Sequence, residues 1–172
     1  MAPKENPDVL ELLRASAAEI RAAADGLSDV QAKQKPAPEK WSVLDCVEHL
    51  VITEGRMQGR LENPESAGVP PADRAKESQI LTGAANRTNR IQAPEPSRPT
   101  GQFPTLGEAL KEFDAARGKT IALAERHGPG LYALAIVHPV FGRLNGTELM
   151  VLVAAHSRRH AEQMREVRAV VS

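Results

Sequence analysis

From Leu149 to Val171 apolar residues recur at helical spacing, and two histidines stand in the middle of the stripe. A helix places Leu149, Val153, His156, His160, Met164, Val167 and Val171 on one face, with Leu152 at its edge. The chain must fold so that this face is buried and both imidazoles are satisfied. A buried polar ring has a hydrogen-bond partner or binds something. Histidines at i and i+4 project side by side, with Cβ atoms roughly 5–6 Å apart, near enough to share one metal ion. Two satisfied core histidines are the alternative reading of the pair. A third histidine, His49, lies far upstream in Trp41-Ser-Val-Leu-Asp-Cys-Val-Glu-His-Leu50, and the three together make a candidate metal site.

Three more stretches carry helical periodicity. The first runs from about Pro7, suited to a first turn, to Val30 or a little beyond, with Val9, Leu13, Ile20 and Leu27 among alanines and Pro36 and Pro38 ending it. The second opens after Trp41, with Ser42 as N-cap and Asp45 three residues on, and continues to about Leu61. The third opens with Thr105 and Glu108 as a capping box. It buries Leu106, Leu110, Phe113, Thr120, Ile121 and Ala124 and stops at Gly128-Pro129-Gly130. Between the second and third, residues 63–104 hold Pro64, Pro70, Pro71, Pro94, Pro96, Pro99 and Pro104 and read as a long crossing connection, with room for a short helix near Ala72–Leu81. The segment from Leu131 to Leu144 reads as a linker, and no alternation lasts long enough to build a sheet. The expectation is all-α: one domain over residues 1–172, a four-helix bundle with a long crossover between helices two and three.

With 172 residues the chain can bury a core without staples, and the lone Cys46 excludes an internal disulfide. Basic and acidic residues balance at 22 each and aromatic residues make up 3%, so nothing global points to nucleic acid or an anionic membrane. The longest apolar runs, such as Leu149–Ala155, fall far short of the roughly 20 residues a membrane span needs. The first eight residues have no apolar signal core, and the expected location is cytoplasmic.

The segment Trp41–Val51, the connector Arg98-Pro-Thr-Gly-Gln-Phe-Pro-Thr105, and His138-Pro-Val-Phe-Gly-Arg-Leu144 followed by His156-Ser-Arg-Arg-His-Ala-Glu-Gln163 together resemble the DinB/YfiT-like superfamily of small bacterial bundles. The resemblance covers nearly the whole length. It implies a divalent metal held by one histidine of the second helix and two of the last, which by motif position are His49, His156 and His160. It also implies thiol S-transfer, thiol-dependent isomerisation or hydrolysis as activities, a low-molecular-weight thiol as a co-substrate, and a homodimer.

Three neutral imidazoles suit Zn²⁺, Ni²⁺, Fe²⁺ or Mn²⁺ and leave positions open for water or substrate. The pair is not a metallopeptidase helix, since Ser157 stands where H-E-x-x-H needs Glu. Candidate proton-handling groups are Asp45, one turn before His49, and Glu148, two turns before His156. Gln163, three residues past His160, is a candidate hydrogen-bond partner for its ring. His49 lies nearly opposite the stripe Val43, Leu44, Val47, Leu50 and Val51. Periodicity therefore places it toward solvent, and as a ligand it would set the metal at an open edge beside Cys46 and Thr53. Cys46 reads as a small packing residue, Trp41 as a plug at one end of the bundle, His127 as a helix C-terminal cation and His138 as a loop residue able to line a pocket. Arg158, Arg159, Arg165 and Arg168 read as a solvated face. The leading functional expectation is a metal-dependent hydrolase or thiol transferase acting on a small molecule. A non-catalytic metal-binding module and a metal-free helical interaction domain are the alternatives.

Overall fold

The computed structural model describes residues 8–88 and 93–171, so the proposed first-turn role of Pro7 lies outside the described residues. In chain order come helices α1 (Val9–Ala24), α2 (Asp29–Lys33), α3 (Val43–Glu62), α4 (Arg74–Ala85) and α5 (Leu106–His127), strands β1 (Ala135–His138) and β2 (Gly142–Asn145), and helix α6 (Gly146–Val171). The long helices α1, α3, α5 and α6 form the bundle. α1 packs on α6 and α3 on α5, and the ring closes through α3 with α6 and α1 with α5. The crossover between the second and third bundle helices is the long one, as the prolines predict. No described helix is long and apolar enough to cross a membrane.

Caps set the helix starts. Ser42 Oγ accepts the Asp45 N–H at 3.0 Å, and Asp45 Oδ2 accepts the Ser42 N–H at 2.9 Å, a reciprocal box on α3. Thr105 Oγ1 accepts the Glu108 N–H at 3.2 Å at the start of α5. The neighbouring Leu106 N–H donates to Asp29 Oδ1 at 3.0 Å, so α2 docks by capping another helix.

Three expectations need correction. The first stretch is two helices: Gly26 takes φ +75° and breaks it, and a Ser28–Gln31 capping box starts α2. The linker after α5 holds a two-stranded antiparallel hairpin pairing Ala135 with Asn145 and His138 with Gly142. Its strands are four residues long and β1 begins with two buried residues, so no alternation marks it. In the connection the short helix sits at Arg74–Ala85, later than expected, and packs on α6. That contact, with α1, α3 and the hairpin, surrounds the start of α6, where every residue from Gly146 to Ala155 is buried.

The core is two apolar clusters separated by a polar layer. Leu13, Leu61, Leu123, Leu149 and Leu152 belong to one; Ile20, Val47, Leu50, Phe113 and Met164 belong to the other. Between them each bundle helix contributes a polar residue: Ser16, Glu54, Arg117 and Ser157. Arg117 lies 2% exposed at the centre. Its Nε and Nη2 donate to Glu54 at 2.6 and 3.1 Å, its Nη1 to the Leu13 carbonyl at 2.7 Å and Ser16 Oγ at 2.9 Å, and its Nη2 also to Ser157 Oγ at 2.6 Å. All five guanidinium donors are used. Arg117→Met leaves a buried, unpaired Glu54 and should lower the unfolding free energy in urea by about 3–5 kcal/mol. Adding Glu54→Leu should recover much of that loss.

Candidate metal centre

His49 comes from the middle of α3, and His156 and His160 come from adjacent turns of α6 where α3 and α6 pack together. The structure brings all three to one point. His156 Nε2 lies 3.1 Å from His49 Nε2 and 3.1 Å from His160 Nε2, and the three ligand atoms lie within 4.8 Å of one another. Ring centroids are 4.5–5.0 Å apart. His49 is 4% and His160 6% exposed, while His156 keeps a partly exposed side.

Hydrogen bonds assign the tautomers of two rings. His49 Nδ1–H donates to the Ser97 carbonyl at 2.6 Å, and His160 Nδ1–H donates to Gln163 Oε1 at 2.8 Å. Gln163 thus occupies the place its spacing suggests. Both rings then turn an Nε2 lone pair toward His156. Burial holds His156 and His160 well below the usual imidazole range, reinforced by the neighbouring imidazoles, and burial also lowers His49 against the pull of its Ser97 hydrogen bond. One proton on His156 Nε2 can satisfy one lone pair at a time. The other Nε2 lone pair then faces a nitrogen with no proton turned toward it, a conflict that a cation relieves. Nitrogens bound at about 2.0–2.1 Å to a common ion with bond angles near 90–110° stand roughly 2.8–3.4 Å apart. Both separations from His156 fall in that range and the donors are three neutral imidazoles, so the donor set fits a divalent transition metal, and His49, His156 and His160 would hold it.

His49 is not at an open edge, contrary to its place in the helical pattern. The connection covers that face of α3. Besides the Ser97 carbonyl on His49, Glu48 (1% exposed) binds the next stretch. Its Oε1 accepts from the Thr100 N–H at 2.7 Å and Thr100 Oγ1 at 3.2 Å, and its Oε2 accepts from the N–H groups of Gly101 at 3.2 Å and Gln102 at 3.3 Å. Trp41 also packs against the cluster, its ring 4.8 Å from His49 and 6.1 Å from His160. Sequence reading missed Glu48, Ser97 and this role of Trp41. The available signal was Glu48 beside His49, with Gly101 in a proline-rich segment.

The other candidates fall as follows. Asp45 caps α3, and Glu148 caps α6 by accepting from the Asn145 N–H at 3.0 Å while it pairs with Lys76 at 3.0 Å. No hydrogen bond joins either to a histidine among the described residues, and Glu148 stands about 12 Å along the helix from His156. Cys46 is buried in the apolar cluster, and burial pushes its thiol up, which keeps it a packing residue. His138 ends β1, its Nδ1 accepting from the N–H groups of Val140 and Phe141 at 3.1 and 3.2 Å, so its proton sits on Nε2. Burial and Arg60 lower it to about 4, and its charge would be felt at His156. Ser157 turns away from the cluster to Arg117. Arg158 pairs with Glu19 and Arg165 with Glu162, while Arg159 donates to the Asn86 carbonyl. A surface cleft of about 530 Å³ between α1, α2 and α5 touches none of the three histidines.

Fold and cluster together define a helical-bundle protein with a candidate three-histidine metal centre. The chain belongs to the DinB superfamily, which it matches over residues 12–164. It is 28% identical over 144 residues to the uncharacterized protein YuaE of Bacillus subtilis (strain 168), covering 83% of this chain and 86% of YuaE. The fold matches the solved structure of YfiT from Bacillus subtilis with a TM-score of 0.60, over 97% of this chain and 90% of YfiT at 16% identity. YfiT is described as a probable metal-dependent hydrolase with an unusual four-helix bundle topology.

Two outcomes are expected of the cluster. His156→Ala or His160→Ala should abolish stoichiometric binding of zinc, nickel, iron or manganese, read as metal content of protein purified without chelator. The second concerns pH. The folded imidazoles lie below their ordinary 6.5, so the unfolded chain takes up protons first as pH falls. Their contribution is complete above about pH 6.5 and is lost as pH drops toward the folded values. Urea midpoints in chelator between pH 7.5 and 5 should therefore fall more steeply for the native sequence than for His156→Leu.

Proposed function

We propose that the protein is a divalent-metal-dependent enzyme that hydrolyses a small-molecule substrate. One observation carries the reading. Three neutral imidazoles present Nε2 atoms to one point, and no fourth His, Cys, Asp or Glu joins them among the described residues. Three protein ligands are the pattern of a catalytic site, whereas a closed four-ligand shell would be structural. YfiT's description as a probable metal-dependent hydrolase supports the same reading. A bound ion supplies Lewis acidity, polarising a substrate oxygen and lowering the pKa of a water or thiol at its open positions.

The chain's own residues do the rest. Ser97 and Gln163 hold two ligand rings in one tautomer and orientation. Trp41 and the connection exclude water from one side, so substrate approaches past the partly exposed His156. His138, whose charge would be felt at His156, stays neutral at pH 7, and its Nε2–H, free of the Nδ1 contacts, could donate to a substrate oxygen.

The test is a panel of small esters, amides and electrophile–thiol pairs, assayed with protein loaded with each metal and with the His160→Ala variant. Hydrolysis that needs the metal and falls by about 100-fold or more in the variant is expected. Turnover equal in the variant would reject metal catalysis. Turnover confined to the thiol pairs would make the protein a thiol transferase, and a stoichiometric ion with no turnover would favour a structural metal.

A further inference from the structure

Glu48 and His49 are consecutive on α3, and both grip the same stretch of the connection. His49 holds the carbonyl of Ser97 at 2.6 Å, and Glu48 holds three successive backbone N–H groups at residues 100–102. Those amides form a concave nest, which needs one residue in the left-handed region, and Gly101 supplies it at φ +80°. Each carboxylate oxygen accepts two hydrogen bonds. Charge-assisted bonds of this kind are roughly twice as strong as neutral ones. Two residues, Arg98 and Pro99, separate the held carbonyl from the nest, so fixing one end confines the other.

We propose that Glu48 is a positioning residue of the metal site: by anchoring the 100–102 backbone it keeps the Ser97 carbonyl on His49 Nδ1, and so keeps His49 Nε2 unprotonated and aimed as a ligand. The inference rests on the three-histidine metal site proposed above. A carbonyl held on the far ring nitrogen fixes the tautomer that can bind metal; a loose one lets the proton move to Nε2, where it blocks the ligand. The connection is then part of the site, with Glu48 as its fastener. A merely structural Glu48 would order the connection and leave the ring unchanged.

Glu48→Gln separates the two. It conserves shape, keeps one acceptor oxygen, and turns an amide NH₂ toward two backbone donors. Three quantities are measured on the full chain: hydrogen exchange at Thr100, Gly101 and Gln102, the His49 ring tautomer by ¹⁵N NMR in chelated protein, and zinc affinity. Expected are faster exchange at the three amides, a mixture of His49 tautomers in place of the Nδ1–H form, and zinc bound about 10–100-fold more weakly at unchanged stoichiometry. Faster exchange with an unchanged tautomer and affinity would overturn the proposal, and so would unchanged exchange. If Glu48→Gln does not fold, Gly101→Ala gives the same reading. It strains the nest through its φ alone, since a Cβ there meets nothing within 4 Å. The tautomer is read without metal, so it decides the role of Glu48 even where absence of zinc binding in the native protein defeats the metal-site reading.

Discussion

Arg117 is the fixed point of this bundle. A guanidinium 2% exposed is tolerable when every donor is met and a carboxylate faces it. Those conditions draw on all four bundle helices: Leu13 and Ser16 from α1, Glu54 from α3, Ser157 from α6, and Arg117 itself from α5. Apolar packing alone tolerates sliding, because one methyl contact resembles the next. Five directional bonds to one planar group do not. Removing any partner leaves a buried polar atom unpaired.

The site inherits its geometry from that layer. Glu54 follows His49 by five residues on α3, and Ser157 lies between His156 and His160 on α6. The helices that meet at Arg117 therefore meet again about one turn away at the histidines. A shift of α6 by one residue would rotate both imidazoles away by about 100° and break the Ser157 bond to Arg117 as well. The register that satisfies the guanidinium is the register that gathers the ring nitrogens.

The four bundle helices were legible because their apolar stripes and caps are local. Ser42 with Asp45, and Thr105, mark starts that the structure keeps. The α6 pair and Gln163 were legible for the same reason, since three- and four-residue spacings on one helix fix neighbours. What was hidden depends on distant parts of the chain. His49 looks solvent-facing on its own helix because the residues that cover this part of α3, Ser97 on His49 and Thr100 to Gln102 on Glu48, lie about fifty positions downstream in a polar, proline-rich segment. Arg117 looks like one more surface arginine until the three helices around it supply acceptors. The hairpin is hidden because four-residue strands carry too little pattern, and the break in the first helix because the apolar spacing runs on through Leu27 past Gly26, whose positive φ ends the helix before the Ser28–Gln31 box starts the next.

The two polar layers between α3 and α6 differ in how fully their polar groups are satisfied. Around Arg117 donors and acceptors match, and nothing is left for a ligand to satisfy. Around His156 two lone pairs converge on one nitrogen, and hydrogen bonding alone cannot satisfy both. Burial keeps the rings uncharged, so the cluster cannot ease the conflict cheaply by taking up a proton. A bundle that places a saturated polar layer one turn from an unsaturated one holds the second rigidly open. The saturated layer resists the small helix rotations that would let the imidazoles turn away and find other partners. The unmet valence is thereby preserved in the folded state, where a cation of suitable size can meet it.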